Sequence, residues 1–274
     1  MTASAGTTIW RDLIHKPFFW GIVAILALLA LNVIKDPTYL ALSINPNNGN
    51  LVGNLIDILR QAAPIMMIAI GMSLVIATGG IDLSVGSLMA VAGAVSMEFL
   101  SAAGDSFGAA LAAVGLALVI TGILGAVNGL LVAYVGLQPF IATLVLMLAG
   151  RGIAKVITGG QNTTASNDAF RWIANGFVIG IPVVFILAVL IVIAVGWVVR
   201  RSALGLMIEA IGINPRASRM AGIKPKGLLL TAYIMSGILA GIAGIMSVGS
   251  VMTVDISRTG YQLELDAICL LYTS

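Results

Sequence analysis

The stretch from Arg200 to Gly227, RRSALGLMIEAIGINPRASRMAGIKPKG, is a short polar segment between two long apolar runs, Ile179–Val199 and Leu228–Val248. It carries six Lys and Arg residues against a single acid, Glu209. Short loops rich in Lys and Arg between membrane-spanning segments lie in the cytoplasm. The segment therefore predicts a cytoplasmic loop in a membrane protein. That loop is either a linker whose charges set the topology or a docking element for a cytoplasmic partner.

The second half of this loop has the signals of a short capped helix. Asn214 is a favourable N-cap, Pro215 suits the first helical position, and Gly222 can end the helix in the left-handed conformation. A preceding helix is predicted over residues 203–211. Because a plain linker needs no such order, the pattern favours a docking element.

The loop also carries a family pattern, EA-x-G-x-N-P-x-A-x-x-x-G-I. It resembles the permease subunits of bacterial ATP-binding-cassette sugar importers, in the ribose, xylose and galactose branch. In that family this loop is the coupling region that sits on the ATPase. The resemblance implies a cytoplasmic ATPase, a periplasmic sugar-binding protein and a second permease copy or homologue as partners. The candidate coupling residues are Glu209, Gly212, Asn214, Pro215, Arg216, Arg219 and Gly222.

Composition places the chain in a membrane. Of its 274 residues, 59% are hydrophobic and 9% are charged, whereas a soluble domain is about 25% charged. The net charge of +3 gathers in predicted cytoplasmic segments, so membrane lipid explains it better than nucleic acid. The single cysteine, Cys269, and the single histidine, His15, argue against a disulfide and a zinc cluster.

Seven apolar segments predict membrane-spanning helices. Arg11, His15 and Lys16 precede the first, and no signal-peptide cleavage motif follows it. From a cytoplasmic N-terminus, six spans return the chain to the cytoplasm at Arg200, where the charge rule independently places it. The predicted fold class is all-α, a polytopic helical protein of the bacterial inner membrane, and the resemblance implies the ABC-importer permease fold. The spans begin at Phe18, Pro64, Leu83, Gly108, Pro139, Ile179 and Leu228.

A glycine pair interrupts the chain between the second and third spans. Gly79 and Gly80 end one helix, and Asp82 or Ser84 can cap the next. At the membrane surface this break is an ordinary loop, whereas within the membrane it is a discontinuous helix whose N–H groups can contact a polar solute. The residues leave both alternatives open. The run TGGIDLSVGS at 78–87 is similar to a hallmark of the same permeases, which implies a functional role for Asp82 and Ser84 without specifying it.

Small residues inside the spans predict close helix packing. Gly125 and Gly129 flank Asn128 in the fourth span. In the last span, Gly237, Gly241 and Gly244 recur every three to four residues. Asn128 is either an interhelical hydrogen-bonding residue or a sugar contact. It joins the candidate substrate-pathway residues, which are Asp82, Ser84, Asn128, Gln138 and Arg151.

Two cations in the fifth span cannot both face lipid at its centre. Arg151 and Lys155 together would cost about 5 to 7 kcal/mol there, more than the apolar residues of the span recover. Arg151 is therefore predicted to point into the bundle or a water-filled path, and Lys155 to extend outward. At the start of the second span, the preferred interpretation is an interfacial helical turn before Pro64 with an ion pair between Asp57 and Arg60.

Near the end of the chain, YQLELDAI at 261–268 resembles the family segment W/Y-x-L-E-L-D-A-I. In that family a glycine-rich stretch and further spans follow it. We therefore expect residues 1–268 to form a single transmembrane permease domain with coupling loop 200–227. Residues 269–274 are expected to be a non-native tail, with C-terminal spans missing.

Motifs for catalysis do not occur. The chain has no G-x-x-x-x-G-K-[ST], no H-E-x-x-H, no nucleophile elbow and no metal-ligand cluster. We therefore expect a transporter subunit with no cofactor or metal of its own, which moves a monosaccharide by alternating access driven by a separate ATPase. The resemblance looks closest to galactofuranose-type permeases, with ribose next. The alternatives are an ion-gradient-driven transporter, for which Asp82 is the candidate acid, and a membrane scaffold or receptor.

Overall fold

The computed structural model describes residues 17–44 and 50–272, with the backbone alone for Pro17, Phe18 and Tyr272. The expectations for Arg11, His15 and Lys16, and for the last two residues, lie outside this part. The described chain is mainly helical. Its helices are α1 (Pro17–Lys35), α2 (Asn54–Ala77), α3 (Val85–Ala103), α4 (Phe107–Leu130, continued by a π-helical turn, Leu131–Val135), α5 (Pro139–Ile157), α6 (Asp168–Asn175), α7 (Val183–Arg201), α8 (Ala203–Ile213), α9 (Pro215–Met220), α10 (Pro225–Val251) and α11 (Leu263–Tyr272).

Six of the described helices are long and apolar enough to cross a membrane: α2, α3, α4 with its π turn, α5, α7 and α10. The apolar part of α1 that is described with side chains, Phe19–Lys35, is shorter. Large apolar side chains such as Leu111, Leu148 and Ile193 are exposed on the outer helix faces, as expected where lipid is the solvent. The prediction of an all-α, polytopic membrane protein is confirmed.

The centre of the bundle is α10, which packs against α2, α3 and α4. Glycines allow this approach. Gly237 on α10 lies against the backbone of Gly125 on α4, and Gly244 lies against the backbone of Met89 on α3. A side chain at either glycine would meet main-chain atoms that cannot rotate away. The predicted small-residue packing faces are confirmed.

The two ends of the bundle differ. One end, here called the basic end, is formed by residues 200–227 with α8 and α9. The other, the strand end, holds three short antiparallel pairs: β1 (Ser43–Ile44) with β2 (Leu51–Val52), β3 (Thr163–Thr164) with β6 (Thr253–Val254), and β4 (Phe177–Val178) with β5 (Ile181–Pro182).

The start of α2 differs from the expectation in one respect. The helix runs unbroken from Asn54 through Pro64. The ion pair expected between Asp57 and Arg60 is wrong. The Arg60 guanidinium lies 5.3 Å from the centre of the Phe177 ring instead, because β4 folds over the first turns of α2 and offers an aromatic face.

Candidate functional site

The helix predicted in the basic loop forms as expected. The Oδ1 atom of Asn214 accepts hydrogen bonds from the N–H groups of Arg216 and Ala217, each at 3.1 Å. Pro215 is the first residue of α9, and Gly222 follows the helix with a φ of 85°. These are local interactions between neighbours in sequence, which is why the residues alone predicted them.

Contacts between α8 and α9 make the loop one compact unit. The Ser218 hydroxyl donates to the carbonyl oxygens of Ala210, at 2.8 Å, and Asn214, at 2.9 Å. Ile208 and Ile211 of α8 are buried. The two short helices are therefore positioned to move together.

The outer surface of this loop carries both charged and apolar side chains. Glu209, Arg216 and Arg219 are exposed. Ile213 is 79% exposed and Met220 is 91% exposed. Exposed apolar residues among charges are typical of a surface that a protein partner covers.

The Asn214 cap provides the first prediction. Replacing Asn214 with alanine removes both cap hydrogen bonds and should destabilise α9 by about 1 kcal/mol. Amides of Arg216 and Ala217 should then exchange with deuterium roughly fivefold faster, because exchange follows local opening. Ser202→Ala is the matched control, since Ser202 begins α8 without a side-chain cap hydrogen bond. Equal effects of the two substitutions would contradict the assigned role of Asn214.

The compact loop touches the end of α2 directly. A Cβ atom on Gly212, the penultimate residue of α8, would overlap the carbonyl oxygen of Ala77 and lie 3.7 Å from the nitrogen of Gly79. Gly212 is therefore packed against the point where α2 ends and the glycine break begins.

Within the break, Asp82 is the centre of a buried hydrogen-bonding network. Its Oδ1 accepts from the N–H of Ser84 at 2.9 Å and from the Ser84 hydroxyl at 2.6 Å. Its Oδ2 accepts from the hydroxyl of Ser236 on α10 at 2.8 Å. The amide of Asn128 on α4 donates to the Ser84 hydroxyl at 3.0 Å. These four residues, here called the Asp82 cluster, are at most 1% exposed.

The depth of the Asp82 cluster decides between the two alternatives for the break. Ser236 follows the first residue of α10 by eleven positions, which is about 16 Å of helix. Asn128 lies within α4, before its π turn. The break therefore returns into the bundle from the basic end rather than lying at its surface. It joins α2, which runs towards the basic end, to α3, which runs back towards the strand end.

Two polar atoms beside the break have no hydrogen-bond partner among the described residues. They are Oδ1 of Asn128 and the hydroxyl oxygen of Tyr233. Tyr233 lies on α10 beside Gly80. Leaving a buried polar atom unpaired costs free energy. If the bundle opens there, both atoms are available to hydrogen-bond with a hydroxyl group or water.

The other two candidate pathway residues, Gln138 and Arg151, lie outside the Asp82 cluster. Gln138 is exposed at the start of α5. Arg151 points into the bundle, as predicted, where its guanidinium donates to the carbonyl oxygens of Thr259 at 2.6 Å and Gly260 at 2.8 Å. Burial raises the pKa of the nearby Glu264 carboxyl, and the Arg151 charge opposes that rise. Lys155 is exposed, as expected.

Sequence reasoning missed Ser236 and Tyr233. They are three residues apart on α10 and so share one face. Both come directly before the glycines at positions 237, 241 and 244. The signal available in the sequence was a serine and a tyrosine next to the glycines of a mostly apolar span.

A recess of about 270 Å³ with a partly polar lining lies between α2, α10 and α11 at the strand end. Arg60, Gln61, Ser247 and Ser250 supply its polar lining, and Met246 and Leu263 contribute apolar surface. Hydroxyl, amide and guanidinium groups beside apolar surface suit a small polar solute.

Comparisons with known proteins find a matching family and several similar transport proteins. The family described as "Branched-chain amino acid transport system / permease component" matches residues 54–271. The fructose import permease protein of Bifidobacterium longum (strain NCC 2705) is 51% identical over 267 residues, which cover 96% of this chain and 74% of that protein. The galactofuranose transporter permease protein of Escherichia coli (strain K12) is 44% identical over 90% of this chain and 71% of that protein. The ribose import permease protein of the same strain is 35% identical over 90% of this chain and 74% of that protein. No solved structure was found to match the chain.

Proposed function

Because this chain belongs to the family of permease components of branched-chain amino acid transport systems, we propose that it is the membrane-spanning subunit of an ATP-driven importer for a monosaccharide. The sugar assignment is supported by the three relatives, which are named for fructose, galactofuranose and ribose. The fructose permease shares the largest fraction of identical residues among these three, so fructose is the first substrate to test.

The contact of Gly212 with Ala77 and Gly79 carries the mechanism that we propose. A cytoplasmic ATPase docks on the exposed surface formed by Glu209, Arg216 and Arg219. When its nucleotide-binding subunits close, α8 and α9 move as one body. That movement is passed through Gly212 to the break and from there, through the Asp82 cluster, to α4 and α10.

The sugar pathway in this proposal begins at the strand end and passes the break. The recess lined by Arg60 and Gln61 supports entry at that end. The unpaired atoms of Asn128 and Tyr233 support contact with sugar hydroxyls in a more open state. Asp82 and Ser84 hold the break between α2 and α3 in place. Gln138 and Arg151 remain pathway candidates at either side of this region.

The proposed arrangement also specifies orientation and partners. The basic end faces the cytoplasm of a bacterial cell, since loops rich in Lys and Arg stay on that side, and the N-terminus lies there too. A sugar-binding protein docks at the strand end. A second copy or a homologue completes the channel, and nucleotide is bound by the ATPase rather than by this chain.

Reconstituted uptake tests the proposal and gives a second prediction. Arg216→Glu places a negative charge on the docking surface and should lower ATP-driven fructose uptake at least about tenfold, because like or unpaired charges at a protein interface cost several kcal/mol. Glu209→Ala should also lower ATP-driven fructose uptake. Arg201→Glu is the matched control, with the same charge change at the end of α7. Uptake is measured in vesicles that contain the ATPase and the binding protein.

Two outcomes would overturn the proposal. Full uptake without any ATPase, driven by a proton or sodium gradient, would assign the chain to gradient-driven transport instead. Undiminished uptake by Arg216→Glu, with normal membrane insertion, would leave α9 without a coupling role.

A further inference from the structure

A cavity of about 590 Å³ opens where the basic loop meets the membrane-spanning helices. It is lined by Tyr134 at the end of α4, by Arg219 of α9, and by Lys224 and Lys226 with the backbone between them. We call it the basic cavity. Three cations converge on it, and no acidic side chain is part of its lining. The cavity is therefore suited to an anion.

The backbone adds to this preference. The cavity wall includes Pro225, Lys226 and Gly227, the first residues of α10. Pro225 has no N–H, so the first N–H groups of this 27-residue helix belong to Lys226 and Gly227. The N-cap residue Lys224 offers them no side-chain acceptor. Such groups, together with the positive end of the helix dipole, favour a phosphate or a similar oxyanion.

An exposed apolar face of α4 leads up to the basic cavity. Val127, Leu130 and Tyr134 share one side of the helix by their spacing, and all three are exposed. In a membrane protein such a face lies against acyl chains. The Tyr134 ring ends it, with the Lys226 ammonium 5.2 Å from the ring centre. Tyrosine and lysine at this position are typical of the headgroup level.

We propose that the basic cavity binds the phosphate group of an anionic phospholipid whose acyl chain lies along Val127 and Leu130 on α4. The cations and the α10 N-terminus recognise the phosphate, and the exposed apolar face selects a lipid over a free ion. Basic pockets at the ends of spans are a recurrent way of holding such headgroups. The bound lipid bridges α4, α9 and α10, and so connects the docking loop to the bundle independently of Gly212.

The test is lipid binding to the purified full chain in detergent, measured by native mass spectrometry. Phosphatidylglycerol should bind more tightly than phosphatidylcholine. In the double variant Lys224→Gln, Lys226→Gln, phosphatidylglycerol should bind roughly thirtyfold more weakly. Each cation near the headgroup raises the affinity about fivefold, and the two factors multiply. The matched control is Arg200→Gln, Arg201→Gln, which removes two exposed cations of the same loop that do not line the cavity. The affinity of this control variant for phosphatidylglycerol should change less than about threefold.

Further measurements distinguish a lipid phosphate from free inorganic phosphate, and cover the case in which the lysine variant does not fold. Displacement of phosphatidylglycerol by an equal concentration of inorganic phosphate would assign the cavity to a free ion and overturn the lipid proposal. Equal weakening by both double variants would show diffuse attraction to charge and would also overturn it. If the lysine variant does not fold, Tyr134→benzoylphenylalanine can be photo-activated in native membranes. A phospholipid adduct is expected, and its absence contradicts the proposal.

Discussion

Replacing Gly212 with alanine should stop transport while the protein remains in the membrane. The added Cβ would overlap the carbonyl oxygen of Ala77 and press on the carbonyl carbon, 3.2 Å away. Both are main-chain atoms at the end of a long helix, so they cannot rotate aside. Overpacking of this kind costs about 1 to 3 kcal/mol. The docking loop must then separate from the break, and ATPase movement would no longer reach α4 and α10.

The measurement is sugar uptake beside ATP hydrolysis in the reconstituted importer. Uptake by Gly212→Ala should fall at least about tenfold, and hydrolysis should continue without matching transport. Gly196→Ala on α7 is the control, because a Cβ at that position meets nothing within 4 Å. Normal uptake by Gly212→Ala would show that force reaches the bundle by another route, such as the lipid-bridged contact of α9 with α10.

The second large effect is expected at Asp82. In Asp82→Ala the N–H and hydroxyl of Ser84 and the hydroxyl of Ser236 lose their acceptor in a buried site. Unsatisfied buried polar groups cost about 1 to 3 kcal/mol each, and the hydroxyls can partly reorient. We therefore expect a loss on the order of 3 kcal/mol in the free energy of unfolding. Thermal unfolding in detergent should show it as a lower midpoint.

Asp82→Asn separates a structural role from an ion-coupling role. The amide oxygen can still accept from Ser84, and the amide nitrogen can donate to the Ser236 hydroxyl, so about half of the lost stability should return. A hypothesis of ion-gradient coupling instead requires the acid itself, and Asn would then abolish uptake even with stability restored. Asp57→Ala, which changes an exposed acid on α2, should leave the midpoint near the wild-type value.

Several features of the basic loop were predictable from its residues because their causes are local. The cap at Asn214, the first-position Pro215 and the left-handed Gly222 act over a few neighbours in sequence. The long apolar runs likewise predict spans without reference to any partner helix, since the lipid environment alone requires them. The inward direction of Arg151 followed from the cost of exposing its charge to lipid.

Other features depended on distant segments. The expected ion pair between Asp57 and Arg60 was wrong because Phe177, far along the chain, lies over the arginine. The partners of Arg151 are carbonyl oxygens more than a hundred residues away. Ser236 was missed for the same reason: its hydrogen bond joins α10 to Asp82 in the break, and no local pattern connects these two segments.

The sequence by itself determined that this is a helical membrane protein, roughly where six of its seven predicted spans lie, and that its basic loop contains a capped helix. Each of these follows from hydrophobicity, charge and short-range hydrogen bonds. Only the tertiary structure decided that the glycine break returns into the bundle, that Asp82, Ser84, Asn128 and Ser236 meet there, and that Gly212 touches its edge. Those contacts are set by how glycine faces allow helices to approach, and the approach of two helices depends on both surfaces at once.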